Sequence, residues 1–320
     1  MKRKIIRQGH NTLTITLPSA WVKKCDLHSG DEVEISETNK ALVVSAQSNV
    51  SGSKVTLDVS GFSIPLIWKH VLSAYRAGYD EIIVRYNPRD SKRNFYTAFS
   101  YDTLAYINEK EELSTPELIQ ALVNRLVGVE IIDQKEAYCV IRELGETTYK
   151  EFNNALRRIF LIIKSMSEEL IEAIDGSKTL LKRIHMEDTN LDRFEDFCIR
   201  VLNKRGYEDF RKTPTMHSII FLLEMVGDEF KGLAAVLNQK TKVSAPMHKA
   251  LEDISRMFDT YYGMFYSFRK ESANALLEME KKILKQLEQV PASQTRMAHH
   301  VKKIVKLISS LAELRMDLEV

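Results

Sequence analysis

Residues 4–17 alternate apolar and polar positions, with Ile6, Leu13, Ile15 and Leu17 on the apolar side and the turn-forming run Gly9-His10-Asn11 between them. A period of two with a central break predicts a hairpin of two short strands. Pro18 ends the second strand, Ser19 suits the N-cap of a short helical turn through Trp21, and Asp26 to Gly30 reads as a loop. Residues 31–36 and 41–45 repeat the alternation across Glu37 to Lys40, which predicts a second hairpin. Four strands this short bury little surface alone, so the module is expected to dimerise.

A Ser/Gly-rich linker follows at Ser48 to Ser53, and then the pattern changes. Lys54 to Val59 reads as a strand, Ile64 to Ala77 as a helix and Glu81 to Tyr86 as a strand. Thr115 to Val127, opened by Thr115-Pro116, reads as a helix, and Val129 to Asp133 with Ala137 to Arg142 as a hairpin. This order predicts a small two-layer α/β unit. Residues 87–112 mix strand-like aromatics with a helical period and receive no assignment. From Glu146 onward, long amphipathic segments are broken at 175–177, 206–214, 240–246, 270–272 and 290–293. Six helices fit this spacing, and short connections favour antiparallel neighbours, so two three-helix bundles are expected. The chain is thus read as multidomain: a dimerising module of two hairpins over 1–47, an α/β domain over 53–145 and an all-α domain over 147–320.

Composition narrows the setting. With 320 residues, 44% of them hydrophobic, the chain has ample material for packed cores. Cys25, Cys139 and Cys198 are dispersed and odd in number, which offers neither a disulfide framework nor a CxxC knuckle and suits a reducing cytoplasm. No apolar run approaches the roughly 20 residues of a membrane span, and the basic start at Lys2 is not followed by a signal-peptide core. A cytoplasmic protein without membrane insertion is expected. The net charge of +2 hides an asymmetry: Lys2, Arg3, Lys4, Arg7, Lys23 and Lys24 precede any acid, whereas Asp26, Asp31, Glu32, Glu34 and Glu37 follow. One basic surface on a small module is the electrostatic footprint for a polyanion.

The strand–hairpin–strand order, Leu17-Pro18-Ser19-Ala20-Trp21, Leu27 and Gly30-Asp31-Glu32-Val33-Glu34-Ile35 resemble the AbrB, MazE and SpoVT swapped-hairpin family. The resemblance implies a dimeric swapped-hairpin β barrel over 1–47, built from the interleaved hairpins of a homodimer, and a DNA-facing first hairpin carrying Lys2, Arg3, Lys4, Arg7 and His10. The turn departs from the family, having His10-Asn11 where Gly-Arg is frequent.

In the helical part, Asp188 and Asp192 are spaced i, i+4, as are Glu224 and Asp228. Such spacing stacks like charges on one helix face, at a cost of about 0.2–0.5 kcal/mol per pair unless a cation neutralises them. His185, Asp188, Asp192 and Glu195 form one line beside an apolar stripe of Leu180, Ile184, Leu191, Phe194, Cys198 and Val201; His217, Glu224, Asp228 and Lys231 form another. On spacing alone, lines of this kind are more often solvated faces than ligand sets. Asp188-Thr-Asn-Leu-Asp192 with Phe194-Glu195, and Leu223-Glu224-Met-Val-Gly227-Asp228, resemble the paired acid motifs of the PhoU phosphate-uptake regulators. That resemblance implies two three-helix bundles and a divalent or iron-type metal ion on Asp188, Asp192, Glu224 and Asp228. In the second repeat, Asn274-x-x-x-Glu278 and Glu313-Leu-Arg-Met-Asp317 depart from the motif, so one metal site is expected.

No Gly-rich phosphate loop, HExxH or GxSxG is present, and no catalytic residues are assigned. Taken together, these readings describe a non-enzymatic, dimeric DNA-binding regulator of phosphate uptake whose helical domain senses or docks. The alternative is an adaptor without DNA function that docks on a phosphate-transport ATPase or a signalling protein.

Overall fold

The computed structural model describes residues 2–9, 11–38, 41–46, 53–89, 93–94, 112–145, 148–175, 177–237 and 242–320. They belong to two compact units, Met1–Gly52 and Ser53–Val320.

In the first unit, β1 (Ile6–Gln8) pairs antiparallel with β2 (Thr12–Thr14), Ile6 lying opposite Thr14. Gly9, with φ +78°, supplies the left-handed residue that the tight turn needs. Helix α1 (Ser19–Lys24) is capped by Pro18, so Ser19 is the first helical residue and not the cap its type suggested. A proline there has its φ pre-set and no amide to satisfy. Strands β3 (Val33–Thr38) and β4 (Ala41–Ala46) form the second hairpin, in register from Val33 opposite Ala46 to Thr38 opposite Ala41. The hairpins are separate two-stranded sheets, and among the described residues no ladder joins them, so one chain does not close a barrel. No described side chain from 2 to 46 is buried. Ile6 and Leu13 are 52% and 66% exposed, and Ile5, Ile15, Ile35 and Leu42 are likewise open.

The second unit begins with β5 (Lys54–Asp58), α2 (Ile64–Arg76) and β6 (Glu81–Arg85), a β-α-β crossover with β5 and β6 parallel. Two-residue strands β7 (Arg93–Asn94) and β8 (Glu112–Leu113) pair, and α3 (Thr115–Val123) follows. Ser114 caps α3 reciprocally with Glu117, whose carboxylate accepts from the Ser114 amide at 2.7 Å. The helix stops short of Val127 because the Arg125 and Leu126 amides turn back to the carbonyls of Leu122 and Val123, three residues away. Strands β9 (Val129–Gln134) and β10 (Tyr138–Glu143) complete a four-stranded sheet in the order β5-β6-β10-β9. Val59, Ile67, Val71, Ile82, Ile119 and Ile141 anchor the core between this sheet and the two helices.

Helices α4 (Tyr149–Glu172), α5 (Lys178–Arg205), α6 (Thr213–Leu237), α7 (Ala245–Tyr266), α8 (Lys270–Leu287) and α9 (Thr295–Asp317) form the remainder. Helices α4, α5 and α6 pack mutually, as do α7, α8 and α9, which gives the two three-helix groups that the spacing predicts. They are not separate bundles, however. Helix α6 also packs along α9 and α4 along α7, and one continuous apolar core runs from Phe152 to Ala312. Among the described residues, no helix is long and apolar enough to cross a membrane.

The approach of α5 to α6 depends on Gly227. A Cβ built there falls 2.0 Å from Leu191 Cδ2, so Leu191 occupies the space a larger residue would need. Gly227→Ala is therefore expected to cost about 1–3 kcal/mol through overpacking. Leu191→Ala in the same chain should recover part of that loss; equal denaturation midpoints for wild type and Gly227→Ala would show that the helices do not touch there.

Candidate functional site

Helix α5 buries two faces. Leu181, Ile184, Leu191, Cys198, Val201 and Leu202 enter the helical core, while Asp192, Arg193, Glu195, Asp196, Arg200, Asn203 and Lys204 meet the α/β elements. The second face is polar, and all but Asn203 of these residues are charged. Arg76, at the end of α2, donates to Glu195 at 2.7 Å and to Asp196 at 2.5 Å. Arg125, just past α3, donates to Asp192 at 3.0 Å and lies 5.0 Å over the Trp68 ring. Arg200, 1% exposed, donates to the carbonyls of Tyr75 and Tyr79 and stacks on the Tyr75 ring. Lys204 pairs with Asp80 and Glu143. The main chain joins in, Arg193 donating to the Arg125 carbonyl and Asn203 to that of Arg76.

The four acids expected to bind a metal do lie along the α5–α6 line, but this chain's own cations already sit on three of them. Lys231 bridges Asp188 at 2.7 Å and Asp228 at 2.6 Å, while Asp192 holds Arg125. Glu224 takes no ion pair among the described residues. It lines a cavity of about 150 Å³ with Asp192, Asp196, Arg76, Arg125 and Trp68. The line is no solvated face: Asp188 is 1%, Glu195 2% and Asp196 6% exposed. As placed, no three His, Cys, Asp or Glu side chains among the described residues converge on one point to hold an ion. The donor chemistry nonetheless suits a hard cation, being all oxygen and in excess over the positive charge around it. His185 does not supply that charge, because burial and nearby Lys231 push its pKa down to about 4.

The excess acid appears in the ionisation behaviour. Burial, together with the neighbouring carboxylates Asp228, Glu195, Asp192 and Asp188, pushes Glu224 up to about 9. Burial raises Glu195 to about 8 against the pull of Arg76, and Asp192 to about 7 with Asp188 adding to the effect. Asp196 is raised by burial, which Arg76 partly offsets. In the opposite direction Asp188 and Asp228 hold Lys231 in its charged form despite its own burial.

The second-repeat residues Asn274, Glu278, Glu313 and Asp317 are exposed, with Glu278 turned to Lys281. Elsewhere in the helical part, His300 Nδ1 lies 2.6 Å from Glu229, which also pairs with Lys303, and the ring fills the space left by Gly232.

In the N-terminal unit, Lys2, Arg3, Lys4 and Arg7 are all exposed, and Arg7 lies opposite Leu13 in the first hairpin. His10 lies outside the described residues. Arg3 also borders an open apolar cavity of about 490 Å³ lined by Ile15, Leu17, Trp21, Leu42 and Val44.

Residues 6–51 match the family model described as antidote-toxin recognition MazE, bacterial antitoxin. The N-terminal unit carries a MazE-type module. Among curated proteins, none matches this chain. Among solved structures, the phosphate transport system regulatory protein PhoU from Streptococcus pneumoniae is similar over 54% of this chain and 96% of its own, with 14% identity and a TM-score of 0.46. Of the charge block, Arg7, Lys23 and Lys24 lie within the matched residues and Lys2, Arg3 and Lys4 precede them; the acid line lies outside the match.

Three functional residues escape sequence reasoning. Asp196 was detectable, since it extends the i, i+4 series of Asp188 and Asp192 by one step. Arg76 and Arg125 were not, because only the fold brings them to α5.

The raised carboxyls set a pH dependence. Each binds its proton more tightly in the folded unit than in the unfolded chain, where the ordinary values are 3.8 for Asp and 4.5 for Glu. Their contribution to stability is therefore fully present below about pH 4, and is lost as pH rises through 7, 8 and 9. Stability of residues 53–320 should fall across that window, by about 1.4 kcal/mol per pH unit for each proton released. Glu224→Gln should flatten the upper part of the slope in chemical denaturation; an unchanged slope would place Glu224 in solvent.

Removing Lys231 isolates a buried charge. Lys231→Met should cost about 3–5 kcal/mol, and the double variant Asp188→Asn, Lys231→Met much less, because the uncompensated carboxylate is then gone. Equal losses in the two variants would mean that the bridge contributes nothing specific.

Proposed function

We propose that this protein is a dimeric DNA-binding transcriptional regulator of phosphate uptake, whose helical part binds a divalent or iron-type cation or docks a phosphate-transport component. The observation that carries the DNA-binding half is the MazE-type module. Arg7 lies on its first hairpin and Lys2, Arg3 and Lys4 just precede the matched residues, with no acid before Asp26. Its lack of any buried described side chain supports dimerisation, since six open Ile and Leu side chains and an open apolar cavity are the surface that a second copy covers. The phosphate half rests on the paired acid motifs, and Gly227 gives that resemblance a physical content: the glycine before Asp228 is what lets α6 bring its acids against those of α5.

The basic hairpin supplies attraction to the phosphate backbone without sequence readout. Two copies presenting Lys2, Arg3, Lys4 and Arg7 make on the order of eight contacts, for which affinity falls by about 10³–10⁵ between about 50 and about 200 mM salt. The cation reading names Asp188, Asp192, Glu224 and Asp228 as holders, with the ion supplying positive charge that the acid line lacks.

Equilibrium binding of the full chain to DNA upstream of its own phosphate-transport genes, against unrelated DNA across a salt series, tests the regulator reading. Salt-sensitive preference for the upstream fragment is expected, and Arg3→Glu, Arg7→Glu should abolish it. Undiminished binding by that variant would overturn the assignment. Absence of binding at low salt would leave an adaptor whose N-terminal module only dimerises.

A further inference from the structure

Strand β5 closes one side of the four-stranded sheet, and among the described residues no strand pairs with its outer edge. In its parallel ladder with β6, the Glu81 amide donates to the Ser53 carbonyl and the Val59 amide to that of Arg85. Backbone groups alternate in direction along a strand, so Val55 and Leu57 also turn theirs to β6, while those of Lys54, Thr56 and Asp58 turn to the open edge. The edge lacks the usual devices that keep such rows of unpaired groups apart. It carries no proline, and its register with β6 runs unbroken from Lys54 to Asp58. The opposite edge strand, β9, is by contrast bulged at Ile132 against Val140 and Ile141 of β10. The one lysine on β5 is no free guard either, since Lys54 lies 3.1 Å from Glu81.

We propose that β5 pairs antiparallel with β5 of a second copy of this chain about a two-fold axis at Thr56, which joins the two sheets into one. Three observations support it. An axis at Thr56 sets Lys54 opposite the second copy's Asp58 and Asp58 opposite its Lys54, while Thr56 meets Thr56, so the strand is complementary in charge to itself. In that register every outward amide faces an outward carbonyl. The side chains of Lys54, Thr56 and Asp58 are exposed, whereas Val55 and Leu57 pack in the α/β core, so pairing disturbs nothing buried. Next, α2 presents Trp68, Leu72 and Arg76 to the cavity it shares with α3, and α3 packs on β9 at the far side of the sheet. Helical spacing puts Leu66 and His70 on the opposite flank of α2, above the β5 edge, where Leu66 is 51% exposed and Phe62 lies against the His70 ring. Joining the edges brings two α2 helices side by side and covers that flank. Finally, β4 ends at Ala46 and β5 begins at Lys54, so a homodimer formed at the N-terminus tethers two β5 strands and raises their effective concentration. The inference rests on the dimeric reading given above for this tether and adds to it an interface in the second unit.

Amide hydrogen exchange reads the edge directly, because in a single copy the amides of Lys54, Thr56 and Asp58 face water while those of Val55 and Leu57 are bonded to β6. In the full chain the three outward amides should be protected alongside their neighbours. Asp58→Lys, which sets lysine opposite lysine, should speed their exchange by about 10-fold, equivalent to about 0.7 kcal/mol for each cross-strand pair, and leave Val55 and Leu57 unchanged. A covalent trap gives a second readout. Cys139 and Cys198 are buried, so Thr56→Cys made together with Cys25→Ser carries one accessible thiol. It should form a disulfide-linked dimer under mild oxidation, since directly opposed residues of an antiparallel pair lie about 5.5 Å apart. Glu130→Cys on β9, in the same background, should stay unlinked. Outward amides that exchange as fast as unprotected peptide, or a Thr56→Cys chain that links no better than Glu130→Cys, overturn the β5 contact. Light scattering of the wild type then separates the readings: a dimer leaves association at the N-terminus standing, and a monomer overturns it as well.

Discussion

Six carboxyl groups on α5 and α6 share a largely dry strip of the protein with three fixed cations. Asp188, Asp192, Glu195, Asp196, Glu224 and Asp228 face Arg76, Arg125 and Lys231, while His185 stays neutral. Asp228 is half open to solvent, and the five carboxyls behind it outnumber the three cations by two, while an unpaired carboxylate withdrawn from water is costlier than a protonated one. Burial raises Asp192, Glu195 and Glu224 to between about 7 and about 9, and raises Asp196 as well. The strip balances its charge by holding protons, and Arg76 and Arg125, which neutralise part of it, also join the α/β elements to α5.

That strip exists because α5 and α6 approach closely. Leu191 fills the position a Cβ on Gly227 would take, and one helical turn further Asp188 and Lys231 meet across the gap. A larger residue at 227 must displace the Leu191 side chain, which stands between Asp188 and Asp192 along α5. Packing and electrostatics thus meet at a single small residue. His300 against Gly232 repeats the device between α6 and α9. There the result is a compact ion cluster with Glu229 and Lys303, which has its charges balanced.

Much of the architecture was legible in the chain. Period-two alternation marked the two hairpins, and the strands and helices of the α/β elements fell within a few residues of their predicted ends, because side-chain periodicity follows local geometry. The acid line was legible as a line but not as a buried one. Lys231 stands three residues from Asp228, so its pairing was within reach of sequence spacing, yet spacing describes one face of one helix and is silent on what lies opposite. Arg125 is separated from Asp192 by 67 positions and Arg76 from Glu195 by 119. Such partners are fixed by tertiary packing alone, so spacing along one helix does not foresee the salt bridges that the fold adds to these acids. The N-cap at Ser19 failed for a local reason, Pro18 being already pre-set to begin the turn.

The two units are held by different forces and so respond to different variables. In Met1–Gly52 no described side chain is buried, and its exposed basic residues are open to screening by salt. In Ser53–Val320 two apolar cores secure the chain whatever its concentration, and the sensitive element is the charged seam between them. Screening by salt reaches exposed charges such as Arg3 and Arg7 readily, but reaches Asp188 or Glu195 poorly, since both are almost wholly excluded from solvent. The seam is therefore insulated from bulk ionic strength, whereas the exposed basic residues of the N-terminal unit are not.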